Sequence, residues 1–113
     1  MIPSKNRLKK ERDFQQVFRN GKYLSSDLIS IKFFSNSIGT TRIGFIVSKK
    51  ISKKAVLRNR IKRILRESTR RYLDKIKEGY DIIIIAKEKM KEIESNEVIK
   101  EMEYLLNKAN LIK

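Results

Sequence analysis

Eleven Lys and Arg residues lie between Lys49 and Arg71, against a single acid, Glu67. Arginine outnumbers lysine from Arg58 onward, and a guanidinium offers two parallel donors to a phosphate and a flat surface to an exposed base. A second candidate group is Phe14 and Phe18, one helical turn apart and flanked by Arg7, Lys9, Lys10, Arg12 and Arg19. Such a pair is either core packing or a platform on which unpaired bases stack, at ~1–3 kcal/mol per base. Lys32 and Phe34 alternate onto one strand face and are candidates for the floor of the same groove. Groups for bond breaking are scarce. The chain has no His and no Cys, which removes imidazole acid–base chemistry, Ser-His nucleophiles and Cys/His zinc sites. Asp13, Asp27, Asp74 and Asp81 stand singly, and the acids from Glu88 to Glu103 read as a helix surface, without the pattern of a two-metal site. The residue types therefore point to polynucleotide binding, with no metal site assigned and no catalytic residue of the chain's own.

These side chains need elements to position them. With 113 residues the chain is expected to be one domain, 1–113, burying about 65% of its unfolded surface. The formal net charge is +15 and very uneven: +5 over residues 1–22, +1 over 23–48, +10 over 49–71 and −1 over 72–113. The longest apolar run, Ile82 to Ala86, is far too short to span a membrane, and no secretory signal is visible. With no cysteine, a cytoplasmic location is the expectation.

The apolar spacing predicts an α+β sandwich in the order α-β-β-α-β-α. A first helix runs from Leu8 to Arg19 and closes at Asn20-Gly21. Leu28 to Phe34 reads as a strand with Ile29, Ile31 and Phe33 on one side and Ser30, Lys32 and Phe34 on the other. Arg42 to Ser48 is a second strand. The basic helix follows, with Ser52 as its cap. Leu57, Ile61, Ile64, Leu65, Ser68 and Tyr72 fall within an arc of about 100°, and Asn59, Lys62, Arg63, Arg66 and Arg70 lie opposite. Tyr80 to Ala86 is a strand buried on both faces, and Ser95 caps a last helix with Ile99, Met102, Leu105, Leu106 and Ala109 on one stripe. Tyr23, Tyr80 and Tyr104 read as structural. A solvated helix would mix acids with its bases, whereas this one has nine bases from Lys53 to Arg71 against Glu67, so its self-repulsion needs an external anion. A DNA-reading helix-turn-helix fits poorly, because strands on both sides leave no positioning helix. A membrane-surface helix would carry Trp and Phe on its apolar face, where this one has Leu, Ile, Ser and Tyr.

Ser48-Lys49-Lys50 followed by Ala55 through Arg66, centred on Arg58-Asn59-Arg60-Ile61-Lys62-Arg63, closely resembles the signature of the bacterial ribonuclease P protein subunit. Arg7-Leu8, Asp13-Phe14, Val17-Phe18, Gly21, Arg42-Ile43-Gly44-Phe45 and Tyr80-Asp81-Ile82 extend the likeness over nearly the whole chain. The resemblance implies a fold like the second domain of ribosomal protein S5, with a left-handed β-α-β crossover. It also implies a division of labour, in which an RNA subunit with bound Mg2+ hydrolyses precursor tRNA to release the 5′ leader. The protein would then bind that RNA and the leader. Carried over, Arg58, Asn59, Arg60, Lys62, Arg63 and Arg66 would face the catalytic RNA, extended by Lys53, Lys54 and Arg70. Phe14, Phe18, Ser48, Lys49 and Lys50 would line the leader cleft, with Arg12 and Lys53 near its rim. Many family members have an aromatic residue on the cleft face where an ungapped reading puts Lys32; either Phe34 substitutes for it or a leader base loses a stacking partner. Sulfate or phosphate is expected to occupy the same basic face. A basic ribosomal or ribosome-assembly protein, or a protein-only nuclease, would share the size and charge but not this signature.

Overall fold

The computed structural model describes residues 2–93 and 95–113. The proposed cap by the Ser95 side chain lies outside what is described. Four strands form one sheet in the order β1-β2-β4-β3, from β1 (Lys22–Ser25), β2 (Ile29–Ser35), β3 (Arg42–Ile46) and β4 (Tyr80–Ala86). β2 pairs antiparallel with β1 and β4, while β3 and β4 are parallel and joined through the basic helix α2 (Ala55–Arg70). Helix α1 (Glu11–Asn20) precedes the sheet and α3 (Ser95–Lys108) follows it.

Strand alternation divides the molecule into layers. Ile29, Ile31, Phe33, Ile43, Ile82, Ile84 and Ala86 turn to one face, where Ile61 and Leu65 of α2 and Val98, Met102, Leu105 and Leu106 of α3 complete the main core. The opposite face carries a smaller cluster, in which Leu8, Val17 and Ile83 are buried and Phe14, Phe18, Phe34, Ile46 and Ile85 are partly covered. Isoleucine on both faces of β4 follows from its central position between β2 and β3.

The elements differ from the sequence reading in several places: β2 is shifted by one residue to Ile29–Ser35 and β3 ends at Ile46 rather than Ser48. α1 begins at Glu11, not Leu8, because residues 7 and 8 are spent on the edge of β3: Arg7 bridges Ile43, and the Leu8 amide donates to the Ile43 carbonyl at 2.9 Å. Glu11 and Asp13 then favour the positive N-terminal end of the helix. The strand β1 was not foreseen, and its order reads α-β-β-β-α-β-α. It is four residues long and mostly exposed, so only Leu24 reports its inward face. Ser52 is not the cap of α2. Lys54 holds that position without a side-chain bond, while Ser52 Oγ accepts the Lys54 amide at 3.1 Å and so shapes the turn before the helix.

Candidate nucleic-acid interface

The smaller-cluster face is ordered in rows set by the strand register. Ser25, Ser30, Ile85 and Ile46 form the first row; Tyr23, Lys32, Ile83 and Gly44 the second; Phe34, Asp81 and Arg42 the third. α1 lies against this face, with Phe14 over Gly44 of the second row and Asp13 bonded to Arg42 of the third. Its position is held at one end by Arg42, whose Nη1 donates to Asp13 at 3.2 Å. The same guanidinium grips the buried Asp81 through Nε at 2.9 Å and Nη2 at 2.7 Å, and Asn36 adds a bond to Asp81 Oδ1 at 2.8 Å. Hydrogen bonding to Asp81 raises the Arg42 pKa further above its ordinary value. At the other end, Lys32 Nζ donates to the Phe18 carbonyl at 3.2 Å and lies 5.3 Å from the centre of the Phe18 ring.

Between these anchors, Phe14 passes directly over Gly44. A Cβ built on Gly44 would stand 2.5 Å from Phe14 Cζ and 2.7 Å from Cε1, so the missing side chain makes room for the ring. Phe14 and Phe18 pack on the smaller cluster, as the core reading expects, and both remain only partly covered. Ser48, Lys49 and Lys50 follow β3 beyond the first row and are exposed. Arg12 is exposed on α1. Phe34 lies in the third row with Asp81 and Arg42, one row further than Lys32 from the Ser48–Lys50 end.

The second basic surface lies across the sheet. Ile61, Leu65, Ser68 and Thr69 bury one side of α2, and Leu57, Ile64 and Tyr72 are half-buried. Asn59, Arg60, Arg63, Arg66 and Arg70 are exposed, as are Lys53 and Lys54 before the helix, while Lys62 is half-buried. Arg58 is partly used by the fold, since its Nη1 donates to the Ser52 carbonyl at 2.8 Å. Among the described residues no salt bridge involves a base of α2. The loop carrying Lys49, Lys50, Lys53 and Lys54 joins this face to the cleft.

Arg7 departs from its sequence assignment. It does not flank the Phe14–Phe18 groove but lines, with Arg63, Arg66, Glu67 and Arg70, a groove of about 420 Å³ along the β3 edge. Only the pairing of residue 7 with β3 reveals this. Asp13 and Asp81, the acids nearest the cleft, are both engaged by Arg42, and among the described residues no three acids converge as a metal-binding group would require. Among them too, no helix is long and apolar enough to cross a membrane.

The profile of the Ribonuclease P family matches residues 2–110. The chain belongs to the ribonuclease P protein family. The ribonuclease P protein component of Alkaliphilus oremlandii is 40% identical over 107 residues, covering 95% of this chain and 93% of the relative. The RNase P protein of Staphylococcus aureus superposes with a TM-score of 0.86 at 32% identity, covering 96% of this chain and 98% of the other. That of Thermotoga maritima gives 0.81 at 32% identity, over 90% and 96%. Both the α+β architecture and the family expected from the Arg58–Arg66 signature are thereby established.

Proposed function

We propose that this ribonuclease P protein binds the enzyme's RNA subunit through α2 and the 5′ leader of precursor tRNA through the α1-side cleft, in the cytoplasm. The observation that carries the reading is the pairing of two unlike surfaces on opposite sides of one sheet. One is a rank of exposed guanidiniums, free of salt bridges among the described residues and suited to the backbone of a folded RNA. The other is an open apolar floor of Phe14, Phe18, Ile46 and Ile85 beside Lys49 and Lys50, suited to a single strand whose bases stack without sequence preference. In this reading the RNA subunit carries the hydrolysis, and magnesium held there supplies the Lewis acid and the activated water. The protein's residues bind and orient. Leu8, Val17 and Ile83 fix α1 on the sheet, Arg42 sets its direction, and the basic loop leads the strand from the cleft toward the RNA face.

Such a cleft contributes differential binding. Precursor carries a leader and mature tRNA does not, so the contacts favour substrate over product. The test compares affinities of the reconstituted holoenzyme for precursor and mature tRNA, with wild-type protein and with Phe14→Ala. Phe14→Ala is expected to weaken precursor alone. Equal weakening of both tRNAs would refute the cleft assignment.

A further inference from the structure

Tyr23 reads as structural in the sequence, yet it is 56% exposed. The register pairs it with Lys32 across β1 and β2, which puts it on the face that α1 crosses. Its hydroxyl lies 3.1 Å from Ser30 Oγ, which in turn donates to Ser25 Oγ at 3.2 Å. The ring is therefore anchored at its tip and reaches from the second row over the first. Lys87 leaves the end of β4 on the same side, and its Nζ donates to Ser25 Oγ at 3.1 Å and to the Ser26 carbonyl at 2.7 Å. Hydrogen bonding to Ser30 and then Ser25 lowers the Tyr23 pKa, with smaller contributions from the nearby charges of Lys87 and Lys32.

Three aromatic rings thus mark a line across the sheet. Phe14 sits over β3, Phe18 beside Lys32 of β2, and Tyr23 on the edge strand β1. Neighbouring strands are about 4.8 Å apart, so the line spans about 14 Å. Lys32 cannot close it by stacking, because an aliphatic ammonium side chain has no flat face and its Nζ is bonded to the Phe18 carbonyl. An anchored ring on the next strand supplies the flat surface instead, with little freedom left to lose on binding.

We propose that Tyr23 is a further stacking platform for the single strand, which crosses the whole sheet from the Ser48–Lys50 corner and leaves over β1 with a phosphate near Lys87. The assignment rests on the reading of the cleft as the leader seat. It makes Tyr23 a determinant of how much of the leader is held.

The experiment measures holoenzyme affinity for precursor tRNAs whose leaders are shortened one nucleotide at a time, with wild type, Tyr23→Ala, Tyr23→Phe and Phe14→Ala. Tyr23→Ala is expected to lose between about fivefold and a hundredfold for long leaders, the range of one base stack, and nothing below a threshold length or for mature tRNA. Tyr23→Phe keeps the ring and is expected to retain most of the affinity, which separates stacking from misfolding. If Phe14→Ala weakens precursor while Tyr23→Ala does not, the platform is wrong and the leader cleft stands. If Tyr23→Ala weakens all leader lengths and mature tRNA alike, its role is structural and the proposal falls. If neither variant changes precursor binding, the cleft reading fails with it.

Discussion

Gly44 shows how a single missing side chain sets a binding surface. Its Cα faces the Phe14 ring so closely that any Cβ must push the ring aside. Gly44→Ala is expected to cost about 1–3 kcal/mol in urea unfolding, as overpacking does, and to abolish the preference for precursor over mature tRNA along with it. Full leader discrimination in a folded Gly44→Ala protein would show that the ring's place is unimportant. The sequence carries Gly44 only as part of the Arg42–Phe45 motif; its reason lies in a contact 30 residues away along the chain. The basic residues were legible individually, because exposed guanidiniums without acids have few other uses. Arg7 and Tyr23 were not. Each owes its position to a neighbouring strand, Arg7 to β3 and Tyr23 to β2, and no local periodicity reports which strand is adjacent.

Among the elements, α2 was read from its apolar arc, and its burial pattern follows that arc with Thr69 added. β4 was read to its end residues because five apolar residues in succession have few alternatives in a chain this size. β1 and the start of α1 were missed for the same reason: both depend on edge pairing, which leaves no hydrophobic pattern of its own. The α1-to-sheet connection rests on Arg42, bonded to Asp13 of α1 and to Asp81 of β4, with Asp81 only 1% exposed. Arg42→Met removes the cation and leaves that carboxylate buried with Asn36 as its remaining side-chain donor. The expected loss is about 3–5 kcal/mol by urea denaturation, with α1 the first segment to lose amide-exchange protection. The double variant Arg42→Met/Asp81→Leu is expected to recover part of that loss. A single variant as stable as wild type would mean that apolar packing and the Lys32–Phe18 bond suffice to hold α1.

For the molecule as a whole, charge is the dominant fact. A net charge of +15 on 113 residues disfavours the compact state, and two thirds of it lies between residues 49 and 71. Anions that dwell on α2 and the loop before it should therefore stabilise the fold by mass action. Sulfate or phosphate at millimolar concentration is expected to raise Tm above that in chloride at equal ionic strength. The increment should shrink in an Arg60→Gln/Arg63→Gln/Arg66→Gln variant; an equal rise with chloride would argue against a dense phosphate-binding face. The central claim is that this surface seats RNA while the bond is broken elsewhere, and reconstitution tests it most directly. Precursor-tRNA cleavage is measured at low magnesium with RNA-free protein, with ribonuclease P RNA, and with both, using wild type and the triple variant. Cleavage is predicted only when RNA is present, with strong stimulation by wild-type protein and little by the triple variant. Leader release by the RNA-free polypeptide, or undiminished stimulation by the triple variant, would contradict the account.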